Sequence, residues 1–205
     1  YVKGEMMSLS YYHSSNCSDE LFAQIYEGYE RRLREENLID FDDMLVFCYE
    51  LLKERKDICA LWQQKFQYIL IDEFQDINKV QYEIVRMLAG KGDHLFIVGD
   101  DDQSIYRFRG ARPEIMLGFE KDYPDVKKVI LNTNYRCSSE IVDSAEHLIS
   151  HNIKRFPKNM HAARGGKVPI TFRHLKDVGE ECTDILKGIR FYHNKGIPLE
   201  DMAVI

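Results

Sequence analysis

At 205 residues, with 44% hydrophobic content and only five scattered cysteines, the chain has the composition of a folded globular protein rather than a disordered or disulfide-stapled one. A formal net charge of −6 excludes a protein coated with phosphate-binding side chains, because nonspecific nucleic-acid affinity comes from Lys and Arg displacing counterions, so any nucleic-acid contact has to be local. Apolar runs such as Tyr68 to Ile71 fall far short of the roughly 20 residues that span a bilayer, so no membrane contact is expected and a cytoplasmic location is the default.

In chain order, the apolar positions Leu21, Phe22, Ile25, Tyr29 and Leu33 recur near helical spacing after Ser18 and Asp19, which predicts an amphipathic helix from about Asp19 to Asn37. A second helix is predicted over Phe41 to Glu54, opened by Asp40-Phe41-Asp42-Asp43, whose acids suit the positive end of the helix dipole. The pattern then changes to short continuous apolar runs, Tyr68 to Ile71, Leu95 to Val98 and Lys128 to Leu131, alternating with helices predicted over Lys79 to Leu88 and Pro113 to Lys121. Such alternation predicts an α/β fold with a parallel sheet covered on both faces. A further helix follows from Ser138 to His151, with Ser138 as its cap. The basic, glycine-containing stretch Pro157 to Gly166 is predicted to be an inter-domain linker. Beyond it come a strand over Val168 to Phe172, a helix capped by Asp177 and Glu180, and a terminal strand at Met202 to Ile205. The chain starts at Tyr1 and ends inside that apolar run, so it is expected to be an internal piece of a longer protein.

In open α/β sheets the working groups gather beyond the carboxyl ends of the strands. The first strand is followed by Asp72-Glu73-Phe74-Gln75-Asp76. Magnesium is typically held by one or two carboxylates with substrate phosphates and waters, and a neighbouring carboxylate can take a proton from attacking water. Asp72 and Glu73 suit those two roles; the bland alternative is an acidic helix start with Asp76 as the cap. The second strand leads into Gly99-Asp100-Asp101-Asp102-Gln103-Ser104-Ile105-Tyr106-Arg107-Phe108-Arg109-Gly110-Ala111, which combines acids, an amide, aromatics and arginines. Gln103 can sense a phosphate, and Tyr106 and Phe108 can stack on bases, an interaction indifferent to base identity. Arg107, Arg109 and Arg112 would form a local positive track. Alternatively, both rings anchor the loop in the core. The third run leads to Asn134-Tyr135-Arg136, a ring able to cover an adenine beside a guanidinium able to meet a γ-phosphate.

Together these segments resemble the helicase motifs of the UvrD/Rep group of superfamily one. The resemblance runs from Asp40-Phe41-Asp42-Asp43-Met44-Leu45 through the acidic and Gly99 to Ala111 motifs to Asn134-Tyr135-Arg136, and on into Asn152-Ile153-Lys154-Arg155-Phe156-Pro157-Lys158. It implies a parallel-sheet RecA-like (P-loop NTPase) motor fragment with a helical segment over 1–56, the later part of a first motor domain over 57–156, and the start of a second over 157–205. The implied activity is ATP-dependent 3′-to-5′ movement on single-stranded DNA or DNA junctions. By similarity Asp72 holds Mg²⁺, Glu73 is the catalytic base, and Gln103 couples the γ-phosphate of ATP to the DNA site. Tyr106, Phe108 and Arg109 face DNA, Tyr135 stacks on adenine, and Arg136 is the arginine finger. Phe74 stands where the family often has Tyr, Phe108 where Trp is common, and Asn132-Thr133 where a Glu-Gln pair is usual.

The phosphate-cradling pattern G-x-x-x-x-G-K-[ST] does not occur, since Gly165-Gly166-Lys167 is followed by Val168 and lacks the earlier glycine. The chain alone is therefore expected not to hydrolyse ATP. Two other readings stay open: a helicase-like DNA-binding or regulatory protein that has lost catalysis, and the motor subunit of a helicase-nuclease.

Overall fold

A computed structural model describes residues 2–90, 94–165 and 169–204, apart from the side chain of Arg109. The chain divides into two compact units, residues 1–132 with 147–159 and residues 133–146 with 160–205.

The first unit opens with a segment that packs without regular structure: Val2 and Glu5 are buried, and the carbonyl of Gly4 accepts from Val80 N–H at 3.2 Å. Helix α1 (Asp19–Glu35) starts where Ser18 Oγ accepts from Leu21 N–H. Helix α2 (Phe41–Glu54) has the predicted bounds, because Asp40 and Asp43 exchange side-chain to backbone hydrogen bonds at 2.8 and 3.0 Å and so satisfy two otherwise orphaned donors. Lys3 fixes the approach of the N-terminal segment to these helices. Its ammonium lies 2.6 Å from Glu30, 2.7 Å from Asp40 and 2.6 Å from Asp43. Helix α3 (Lys56–Lys65), over a stretch the sequence reading leaves unassigned, is tied to the end of the next helix through Gln63 Nε2, which donates to Met87 O at 2.6 Å.

Strand β1 (Ile69–Ile71), helix α4 (Lys79–Ala89) and strand β2 (Leu95–Ile97) form the predicted strand-helix-strand unit, with β1 and β2 parallel and in register Ile69↔Leu95, Leu70↔Phe96, Ile71↔Ile97. Asp76 does not cap α4. Asn78 does, in a reciprocal pair with Gln81 at 2.9 Å each way. Helices α5 (Pro113–Leu117) and α6 (Phe119–Asp122) replace the single helix predicted there, broken at Gly118. The core gathers Phe74, Tyr82 and Phe119 with Ile71, Ile77, Leu95, Ile97 and Val126 around them. This covers only one face of the sheet among the described residues. Leu70 and Phe96, pointing the other way because strand side chains alternate, are exposed, which corrects the expectation of a sheet covered on both sides.

The predicted strand over Lys128 to Leu131 is not one. Its backbone has no strand partner among the described residues, and Val129 and Leu131 face solvent. An apolar run becomes a strand only where a neighbour takes up its hydrogen bonds.

In the second unit, strand β3 (Thr133–Ser138) pairs in parallel with strand β4 (His161–Arg164), with a register shift between Asn134 and Ser138. Strand β4 lies inside the stretch predicted as a linker. Helix α7 (Ser139–Ile149) follows, but Ser138 closes β3 instead of capping it, and its buried Oγ has no partner among the described residues. The predicted Val168 to Phe172 strand is irregular at 169–172, and Val168 lies outside the described residues, as do Gly166 and Lys167. Helix α8 (Val178–Asn194) is capped by Asp177, which accepts from Glu180 N–H at 2.9 Å. The tail at 202–204 is irregular, not a strand. No helix among the described residues is long and apolar enough to cross a membrane.

Candidate active site

Because β1 and β2 end in register, the residues after each emerge side by side at the carboxyl edge of the sheet. The two exit loops are stitched together at once: Val98 N–H donates to Ile71 O at 2.8 Å, and Phe74 N–H donates to Val98 O at 2.9 Å.

Glu73 sits between these stitches in the left-handed conformation, φ 51° and ψ 41°. A non-glycine residue holds that shape at a cost of about 1–3 kcal/mol only where its neighbours over-determine it. Here they do. Phe74 is fully buried and meets Phe119 and Tyr82 edge-on at 5.5 and 6.1 Å, and Gln75 is 1% exposed. The Glu73 N–H is taken by Asp72 Oδ1 at 2.9 Å. Both carboxylates remain exposed.

Gln75 joins the two loops. Its Nε2 donates to Glu73 Oε2 at 2.7 Å, and its Oε1 accepts from Asp100 N–H at 3.0 Å, so both ends of one carboxamide are used. Ser104 Oγ then donates to the Gln75 carbonyl at 3.3 Å. The close approach needs glycine at position 99, since a Cβ there would lie 2.6 Å from Gln75 Oε1 and 3.1 Å from Phe74 N. The buried Oδ1 of Asp76 has no partner among the described residues, and burial, with the Glu73 charge behind it, pushes its carboxyl above the usual range.

The second loop turns through a 3-10 segment, Asp101–Gln103, closed by Gln103 N–H donating to Asp100 O at 2.9 Å. Gln103 is exposed, and its Nε2 donates to Asp100 Oδ2 at 2.8 Å. A second 3-10 segment, Arg107–Arg109, ends at Gly110 with φ 88°, a shape that favours glycine. On this stretch Tyr106 and Phe108 lie with centroids 6.0 Å apart. Phe108 is 75% exposed, so it is not a core anchor, and Tyr106 is 38% exposed. The Arg109 side chain lies outside the described residues. Arg112 does not extend a positive track: its Nε donates to the buried Glu5 at 2.7 Å. Arg107 is 3.7 Å from Glu114.

Residues 2–124 match the family model described as the UvrD/REP helicase N-terminal domain. The chain belongs to the UvrD/Rep helicase family. Among curated relatives it is 47% identical over 183 residues to YjcD of Bacillus subtilis, provisionally named an ATP-dependent DNA helicase. It is 37% identical over 192 residues to the ATP-dependent DNA helicase PcrA of Staphylococcus epidermidis and 37% over 193 residues to PcrA of Leuconostoc citreum. These alignments cover 89%, 94% and 94% of this chain but 24%, 26% and 26% of the relatives, so the chain spans about a quarter of the curated relatives it matches.

In this UvrD/Rep-family chain the first unit brings together Asp72, Glu73 and Gln103 through Gln75 and Asp100, while Tyr135 and Arg136 belong to the second unit. They lie within β3 rather than after a strand. Asn134 Oδ1 accepts from the backbone N–H of Arg136 and Cys137 at 2.9 and 2.8 Å, and both side chains are exposed, Tyr135 to 73%. Sequence reasoning passed over Gln75 and Gly99 as site residues. The available signal was an amide set among carboxylates directly after one strand and a glycine directly after the next.

Proposed function

We propose that this chain is part of a RecA-like motor of an ATP-dependent DNA helicase, with segments 1–56, 57–156 and 157–205 contributing a helical portion, the later part of the first motor domain and the beginning of the second. The observation that carries this reading is the Gln75 bridge, which fixes the exposed Glu73 carboxylate to the loop that bears Gln103. The relatives named as ATP-dependent DNA helicases support it.

Each residue has a chemical task in this reading. Asp72 has one carboxylate oxygen on the Glu73 N–H and a second with no hydrogen bond among the described residues, a donor type that fits a hard cation. It would hold Mg²⁺, which when bound with ATP neutralises phosphate charge. Glu73 accepts a proton from the attacking water, its left-handed backbone and the Gln75 amide setting the direction of the carboxylate. Gln103 exchanges its hydrogen bond to Asp100 for one to the γ-phosphate. Arg136 neutralises charge that develops on the transferred group, and Tyr135 stacks on adenine. Phe108, with Tyr106 and Arg109, meets the bases and backbone of single-stranded DNA.

The test uses the longer protein that contains this sequence. Glu73→Gln is expected to lower DNA-stimulated ATP hydrolysis by about 10²-fold or more while leaving ATP binding within a few-fold. Undiminished turnover would reject the role of Glu73, and a wild-type protein that binds DNA without hydrolysing ATP would favour the non-motor reading. The chain by itself, without G-x-x-x-x-G-K-[ST], is expected to show no turnover; hydrolysis by it that Glu73→Gln abolishes would contradict this.

A further inference from the structure

A short basic stretch, Arg155 to Lys158, is fully engaged with the acids of the Gln103 loop although no task in the proposed reaction falls to it. Lys158 Nζ lies 2.6 Å from Asp100 Oδ1 and 3.0 Å from Asp102 Oδ2, and it also contacts Asp101. Arg155 makes a two-pronged pair with Asp102, Nε to Oδ1 at 2.9 Å and Nη2 to Oδ2 at 2.7 Å. The Phe156 N–H donates to Asp101 Oδ2 at 2.8 Å. The Lys158 and Arg155 side chains are only 12% and 14% exposed.

Three adjacent carboxylates with oxygens within 4.8 Å of one another have the spacing of a cation site. Here the ammonium of Lys158 already stands among them, so the cluster is a filled cage and not a metal centre. Without that charge, mutual repulsion would spread the carboxylates, and a three-residue 3-10 turn has too few hydrogen bonds of its own to resist. Asp100 is the shared member: one oxygen takes Lys158 and the other takes Gln103 Nε2 at 2.8 Å. The side chain of Gln103 is thus held by a carboxylate that Lys158 holds in turn.

We propose that Lys158, assisted by Arg155, is a positioning residue that keeps Asp100 and the Asp101–Gln103 turn in the shape from which Gln103 reaches the nucleotide. This rests on the role proposed above for Gln103.

The experiment is a double-mutant cycle in the longer protein, with Lys158→Met, Gln103→Ala and both together, measuring kcat and KM for DNA-stimulated ATP hydrolysis. Lys158→Met is expected to lower kcat about tenfold or more with KM for ATP within about threefold, and to add less than about twofold in the Gln103→Ala background. Full additivity, or an unchanged kcat in Lys158→Met, overturns the proposal. If Lys158→Met does not fold, Arg155→Lys replaces it; it keeps the charge but loses the two-pronged pair, and a smaller drop in kcat that vanishes in the Gln103→Ala background is expected, an unchanged kcat or an additive drop overturning the proposal. Hydrogen exchange at the Asp102 and Gln103 amides separates this idea from the function on which it rests. If the wild-type protein has no ATPase, the functional reading fails, and the latch then requires about tenfold faster exchange at those amides in the substituted protein, an unchanged rate overturning it.

Discussion

Replacing Gly99 by alanine tests whether the Gln75 bridge is as tight as the geometry states. The new methyl would stand 2.6 Å from Gln75 Oε1, 3.1 Å from Phe74 N and 3.2 Å from Gln75 N. The two backbone atoms are fixed by β-strand exits and cannot yield, so the Gln75 carboxamide has to move. Moving it breaks the hydrogen bond from Asp100 N–H at 3.0 Å and the one to Glu73 at 2.7 Å. A neutral hydrogen bond contributes about 1 kcal/mol and one to a charged group about 1.5–3, so the loss is about 2.5–4 kcal/mol. Lower entropy of the unfolded alanine chain offsets about 0.4–1 kcal/mol of that. The net of about 1.5–3.6 kcal/mol corresponds to a fall in Tm of roughly 3–14 °C for a protein region of this size. Gly28→Ala in α1 is the internal control, because the nearest side-chain atom its new methyl would meet is the flexible Arg31 guanidinium one turn along, at 4.0 Å. It is expected to stabilise the helix by up to about 1 kcal/mol. Thermal or urea unfolding of the two variants decides the matter: Gly99→Ala behaving like Gly28→Ala would show that position 99 has room and that the bridge is loose.

Other consequences follow from the same structure. Phe108→Ala, which removes an exposed ring from the Tyr106 and Phe108 pair, is expected to weaken single-stranded DNA binding by about 1–3 kcal/mol, or roughly 5- to 150-fold. Fluorescence anisotropy on an oligonucleotide measures it, and equal affinity in a Phe108→Ala, Arg109→Ala double variant would remove this loop from the DNA site. Lys3→Met leaves Glu30, Asp40 and Asp43 facing each other without their shared cation and is expected to cost about 3–5 kcal/mol in urea unfolding, whereas a change below about 1 kcal/mol would mean the cluster is solvated. Stability should fall at both ends of the pH scale. Burial pushes Asp40, Asp100 and Asp102 upward, but bonds from Lys3 to the first, from Lys158 to the second, and from Arg155 and then Lys158 to the third outweigh it and hold all three below their ordinary value of 3.8. Their contribution is complete above that value and is lost as pH falls through the lowered folded values. Burial pulls Lys3 and Lys158 down, yet their carboxylate partners raise both above 10.5, so that contribution is complete below 10.5 and is lost as pH rises beyond it. A urea midpoint constant from about pH 6 to about pH 2.5 would contradict this account of the cages.

Much of the local structure was legible in the residues because it is set by neighbours in sequence. The bounds of α2 follow from Asp40 and Asp43, the start of α8 from Asp177, and the pairing of β1 with β2 from two apolar runs separated by one helix. That the acids, the amide and the aromatics gather in the two loops after β1 and β2 was legible as well, since it follows from where the apolar runs end.

What failed was whatever depends on a partner distant in sequence. Lys128 to Leu131 reads as a buried strand but has no strand beside it among the described residues, while His161 to Arg164, lacking any strand pattern, becomes one because β3 offers its edge. Arg112 reads as a DNA contact but meets Glu5, buried more than a hundred positions away. The sequence alone determined the family, the strand-end placement of Asp72, Glu73 and Gln103, and most helix starts, all of which rest on short-range spacing. Only the tertiary structure decided that Gln75 spans two loops and that Lys158 fills the cage of Asp100, Asp101 and Asp102. A hydrogen bond or ion pair between loops requires both chains to arrive at one point, and no local periodicity encodes that meeting.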